Sequence, residues 1–196
     1  MEVKEPDLSG TYTYADYMTW EWDQLAELIH GKVFKMSPSP SGVHQIISGN
    51  LFGLLWQYLR GKNCHVFSAP YDVRLPGPSK KKGDSDILTV VQPDICVVCD
   101  NSKLDARGCV GAPDLIIEIL SKYTSPKDVN LKFGVYETAG VKEYWVVHPE
   151  EQTVLVYTLD GNGKYQGNLK PFVKTDTISP VIFPDLNIRL EEVFSD

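Results

Sequence analysis

Two apolar segments hold carboxylates where a core strand would normally exclude them. One reads Gln92-Pro93-Asp94-Ile95-Cys96-Val97-Val98, the other Pro113-Asp114-Leu115-Ile116-Ile117-Glu118-Ile119-Leu120-Ser121. An ionised carboxylate inside such a run costs several kcal/mol unless a partner offsets it. Two of them so close in sequence, Asp94 and Glu118, suggest one shared counter-charge, and a divalent cation is the simplest. Mg²⁺, or Mn²⁺ in its place, takes oxygen ligands, commonly one or two carboxylates completed by water and phosphate. Such a cation neutralises charge developing on a phosphodiester and acidifies a bound water. A lysine from the helix that follows could orient or deprotonate that water. Metal-dependent phosphodiester cleavage is therefore the expected chemistry.

Those residues need a sheet to hold them. Between 114 and 120 the side chains of Asp114, Ile116, Glu118 and Leu120 share one face of a strand. The alternate face, Leu115, Ile117 and Ile119, is apolar too, so this strand is expected to be covered on both sides. Asp94 follows Pro93, which cannot donate to a ladder and so places Asp94 at a strand start. If the two strands are neighbours, both carboxylates can face one cleft. Upstream, a helix-like stretch begins at Tyr14 with Thr13 as its cap and runs toward Trp22. Residues 24–29 and 32–36 form a hairpin about His30-Gly31, and Ser37–Gly42 breaks the chain. The spacing of Val43, Ile46, Ile47, Leu51, Leu54, Leu55, Tyr58 and Leu59 predicts a helix over 43–59, stopped at Arg60-Gly61. Strands are expected at 64–69 and 71–75, a polar connection at 100–112 and a helix at 127–138. A strand at 142–149 follows, then one at 153–159 paired with 164–166, and a tail of short strands with a terminal turn. With no repeat and no linker, residues 1–196 read as one α/β domain.

The formal net charge of −7 excludes a broad basic coat for nucleic acid. One dense patch, Lys80-Lys81-Lys82, reads either as a solvated loop tip or as a loop touching phosphate. No apolar run is long enough to span a bilayer and the N-terminus has no signal-like segment, so a cytoplasmic protein with no membrane partner and four reduced thiols is expected. Cys96 and Cys99 lie three apart in a strand and point to opposite faces, which reads as small buried side chains rather than a zinc or redox pair.

Several segments, taken in order, resemble the Uma2-type endonucleases, a branch of the PD-(D/E)xK superfamily. They are Glu27–Val33, His44–Ile47, Ala69–Val73, Gln92–Ile95, Gly111–Ser121 and Gly140–Val147. The resemblance spans nearly the whole chain. It implies a restriction-endonuclease-like α/β core, a mixed central β-sheet flanked by α-helices, and a Mg²⁺-dependent site. Pro93-Asp94 matches the PD element, which makes Asp94 a bridging metal ligand. Glu118 matches the (D/E) position as a second ligand, and Glu27 resembles the additional acid from the N-terminal region. The x-K step departs: Leu120 stands where lysine belongs. Lys132, on the following helix, resembles the lysine that Uma2-like sequences carry there, with Lys122 a weaker substitute.

Plainer roles stand beside these. Asp94 could cap a strand, Glu118 could sit in a buried ion pair with Lys132 or an arginine, and Glu27 could face solvent. Asp72 could be polar-face strand surface, His44 a helix cap, and Asp114 a partner for local backbone groups. Trp56, Tyr144 and Trp145 read as core. The expected function is endonuclease action on DNA, as a homodimer if both strands of a duplex are cut. The alternative is a catalytically silent nuclease-fold domain that binds nucleic acid or a protein.

Overall fold

The computed structural model describes residues 6–21, 24–36, 40–77, 81–121 and 126–195. In chain order the elements are α1 (Tyr14–Tyr17), β1 (Ala26–Ile29), β2 (Lys32–Lys35), α2 (Gly42–Leu59), β3 (His65–Ser68), β4 (Val73–Arg74), β5 (Val90–Val91) and β6 (Ile95–Val98). Then come β7 (Leu104–Asp105), β8 (Gly108–Val110), β9 (Leu115–Ile119), α3 (Pro126–Ala139), β10 (Glu143–His148) and β11 (Thr153–Leu159). The chain finishes with β12 (Tyr165–Gly167), β13 (Phe172–Val173), β14 (Thr177–Ile178), β15 (Ile188–Arg189) and α4 (Leu190–Val193).

The central sheet has the order β12-β11-β10-β9-β6-β3. Its one parallel pair is β9–β10, and the others along this path are antiparallel. Parallel neighbours need a crossover, and α3 supplies it. The two-residue side-chain period then sorts the apolar residues onto two sides. Leu115, Ile117 and Ile119 of β9 pack with Ile47, Leu51, Leu55 and Leu59 of α2. Ile116 packs on the other side with Val135 and Tyr136 of α3. Each face of β9 thus lies under a helix, as its unbroken apolar run requires. A second sheet, β2-β1-β5-β4-β8-β7, brings the N-terminal hairpin alongside. That hairpin turns at His30 (φ 51°) and Gly31 (φ 76°), two left-handed residues as a two-residue turn demands.

The expected helix at Tyr14 is a single turn, closed by a capping box between Thr13 and Asp16; Trp22, where that stretch was expected to end, lies outside the described residues, as do Ser37–Ser39, Lys80 and Lys122. The connection at 100–112 is not unstructured. It holds a 3₁₀ turn and the short pair β7–β8.

The expectation of four free thiols needs correction. Cys64 and Cys99 form a disulfide, while Cys96 and Cys109 are free and buried. The cause is register: β3 pairs with β6 so that His65 faces Val98, and one step further along the ladder Cys64 meets Cys99. The opposite-face expectation for Cys96 and Cys99 holds, since they pack into different cores.

Candidate active site

The site assembles where β9, the start of β6, β1 and α3 converge. Glu118 leaves β9 toward α3, where Lys132 and Tyr136 stand four residues apart on one helix face. Lys132 Nζ lies 3.0 Å from Glu118 Oε1, and the Tyr136 hydroxyl donates to the same oxygen at 2.6 Å. Lys132 also donates to Glu27 Oε1 at 2.9 Å. Glu27 comes from β1 in the second sheet and accepts a further bond, 2.8 Å, from the Gln92 backbone N–H. One lysine therefore ties a carboxylate of each sheet to the crossover helix.

Asp94 sits just before β6. Its Oδ2 accepts the Ile119 backbone N–H at 2.7 Å, and its Oδ1 lies 3.2 Å from His44 Nε2. The first bond sets Asp94 beside Glu118, one residue along β9. His44 belongs to the first turn of α2, whose N-cap Ser41 accepts the His44 backbone N–H. Glu27, His44, Asp94, Glu118, Leu120 and Lys132 all line one cleft of about 680 Å³.

Burial pushes the Glu118 carboxyl up to about 7; the charge of Lys132 pulls it back down, and Asp94 and Glu27 push it further up. For Lys132 burial alone would favour loss of the proton, but Glu118 and Glu27 outweigh it and hold the ammonium above its usual range. Lys132 therefore stays charged. The hydrogen bond to Asp94 holds His44 above its ordinary value. Tyr136 is pushed well up by burial and by Glu118.

Asp94 and Glu118 are oxygen donors of the kind a hard cation takes. Glu27 and Glu118 flank Lys132, and Glu118 is hard to ionise partly because of Asp94 and Glu27. Added positive charge would relieve that. Among the described residues no group of three or more His, Cys, Asp or Glu could hold a metal ion. Two cleft-lining carboxylates, Asp94 and Glu118, are a number that suits Mg²⁺ with its waters and a phosphate.

Other expected residues lie elsewhere. Asp114 is a local structural partner, 2.6 Å from Lys142 Nζ and accepting the Cys99 N–H at 2.8 Å. Asp72 does not line the cleft; it accepts from Gln92 Nε2 and the Tyr14 hydroxyl, and burial raises its pKa. Lys81 is exposed, 3.9 Å from Asp86, and neither it nor Lys82 lines the cleft. Tyr144 and Trp145 are core, as expected, but Trp56 is 51% exposed, a correction. Its position on the outward face of α2 accounts for this. Tyr136 and Gln92 were not foreseen; the i, i+4 spacing from Lys132 was the available signal for Tyr136, and Gln92 acts through its backbone, which leaves none.

The model of the Uma2 family, described as "Putative restriction endonuclease", matches residues 14–191. An uncharacterised protein of Synechocystis sp. is 22% identical over 153 residues, covering 76% of this chain and 75% of that one. The crystal structure of "a putative nuclease belonging to DUF820" from Anabaena variabilis superposes with a TM-score of 0.71 at 21% identity, over 93% of this chain and 97% of that one. That likeness shows the fold, a nuclease-like mixed α/β architecture with its central sheet between helices. With the family match running from α1 into α4, the chain belongs to the Uma2 family of restriction-endonuclease-like proteins.

Proposed function

We propose that this protein is an endonuclease that hydrolyses DNA phosphodiester bonds with Mg²⁺, or Mn²⁺ in its place, held by Asp94 and Glu118. The observation that carries the reading is the reach of Lys132: its ammonium lies 3.0 Å from Glu118 although it comes from α3, while Leu120 fills the strand position a lysine would take. Bound there, the cation would neutralise charge on the scissile phosphate and lower the pKa of a water. Two of the three Lys132 donors engage Glu27 and Glu118, and the third is available to orient a water or a phosphate oxygen. Glu27 fixes the lysine from the far side of the cleft, and the Ile119 N–H fixes Asp94. Cutting both strands of a duplex takes two such clefts, so a homodimer is part of the proposal for that substrate.

One observation favours a silent binding domain. Both Asp94 oxygens already have protein partners, His44 and Ile119, and Glu118 Oε1 has two. The deciding experiment is cleavage of plasmid and single-stranded DNA with Mg²⁺ or Mn²⁺ by wild type and by Asp94→Ala, Glu118→Ala and Lys132→Ala. Cutting that is lost in all three supports the full assignment. Loss in the two acid variants alone retires Lys132, and a folded wild type that cuts neither substrate favours the silent domain.

A further inference from the structure

We propose that the outward face of α2 is a track for a single DNA strand leaving the cleft, with an unstacked base resting on Trp56. This rests on the reading of the cleft given above. At 100° per residue, Gln45, Gly49, Phe52, Trp56 and Arg60 fall on one stripe of the helix. Gln45, Gly49 and Phe52 line the cleft, so the stripe begins inside it and runs outward. Trp56 is 51% exposed, and the Arg60 guanidinium lies over its ring at 5.0 Å. Gly49 and Gly53 have nothing within 4 Å of where a Cβ would stand, which leaves the floor between cleft and tryptophan open to close approach.

The charge pattern identifies the occupant. The chain has 26 acidic residues, yet none occurs from Ser41 to Tyr71, the run that forms α2 and the edge strand β3. In a protein of net charge −7 this acid-free segment beside the cleft adds no repulsion of its own to a phosphate backbone. Lys62 contributes little to it, because it packs on Tyr58, whose hydroxyl donates to Asp185. An exposed aromatic ring next to an arginine suits a base without regard to sequence, since every base has a π-face. Trp56 is twelve residues from His44, about 18 Å along the helix at 1.5 Å per residue. That is about five stacked nucleotides at 3.4 Å each. A second copy of the chain fits less well. The exposed face of an 18-residue helix is about 27 Å by 10 Å, well under the roughly 800 Å² per partner of a stable interface.

The test is fluorescence anisotropy of a labelled fifteen-nucleotide oligothymidylate, with no divalent cation so that nothing is cut, alongside sedimentation velocity. Trp56→Ala is expected to weaken binding about tenfold, within the range of one lost base–aromatic stack, and Trp56→Phe to restore most of it. Arg60→Gln is expected to flatten the dependence of log affinity on log salt by about 0.7. Unchanged affinity in Trp56→Ala overturns the track. So does a shift of the sedimentation coefficient in Trp56→Ala with DNA affinity intact, which would assign the face to a second copy. A wild type that binds through Trp56 but never cuts would overturn the cleavage reading while supporting the track.

Discussion

Lys132 stands between two carboxylates that would otherwise face each other across a buried gap. Removing it strands both Glu27 and Glu118, and leaving a buried ion unpaired costs about 3 kcal/mol or more. Lys132→Ala is therefore expected to lower the free energy of unfolding by about that much in urea titrations, besides abolishing cleavage. A change within a few tenths of a kcal/mol would show that the cleft admits enough water to solvate both acids. Glu118 gives a second expectation. Its folded pKa lies above its ordinary value, so the folded state binds a proton that the unfolded chain has lost. The associated stability is fully present below the ordinary glutamate value of 4.5 and is lost as pH rises through about 7. Urea midpoints of wild type should fall across that window, and those of Glu118→Gln should fall less; parallel profiles would refute the assignment. Asp94 and Glu118, which meet in the cleft, were legible as candidates because an acid in an apolar run is costly and so needs a reason. Gln92 was not, because its contribution to Glu27 is a backbone N–H that any residue type carries.

The crossover β9–α3–β10 does most of the positioning. Parallel pairing of β9 with β10 forces α3 across the sheet, and the face it presents is the one that carries Glu118. The helix and both strands were legible from length and boundaries, the strands as apolar runs and the helix by its stop at Ala139-Gly140. The short strands β5, β7 and β8 were not, because two or three residues carry no period. A buried acid on β10 was also missed. Glu143 is fully buried, accepting the Trp145 indole N–H at 2.8 Å and the Val181 backbone N–H at 2.7 Å. Burial raises its pKa. It ties the C-terminal segment to the central sheet. Glu143→Ala leaves those donors without their acceptor, at a cost of about 3 kcal/mol. Hydrogen exchange should locate the loosening around residues 177–190; uniform loss of protection would argue against a tether.

Across the whole molecule, the disulfide joins the residue just before β3 to the residue just past β6, with 35 residues of sequence separation. Closing a loop of that size in the unfolded chain corresponds to about 4 kcal/mol. Reductant, or Cys64→Ser, is expected to lower Tm without removing the fold, because neither cysteine touches the cleft. An unchanged Tm on reduction would show that the unfolded chain gains little freedom when the bridge opens. The net charge of −7 acts at this scale too, since it repels a phosphate backbone, a repulsion that the proposed cation and the acid-free segment 41–71 would offset. DNA affinity should accordingly fall on chelation with EDTA, and fluorescence titration with and without Mn²⁺ would measure it. Affinity independent of the cation would separate binding from the Asp94–Glu118 pair.

The sequence by itself determined the order and type of the long elements and the two carboxylates on them. Side-chain periodicity and the cost of burying charge are local properties, readable within ten residues. It also carried Lys132, though only as one candidate lysine. The tertiary structure decided which lysine meets Glu118, that Glu27 reaches it from 105 residues away, and that Cys64 faces Cys99. Those outcomes depend on how strands pair and which way a helix crosses them. A register shift of one residue would turn every side chain to the opposite face, and no local pattern specifies that choice.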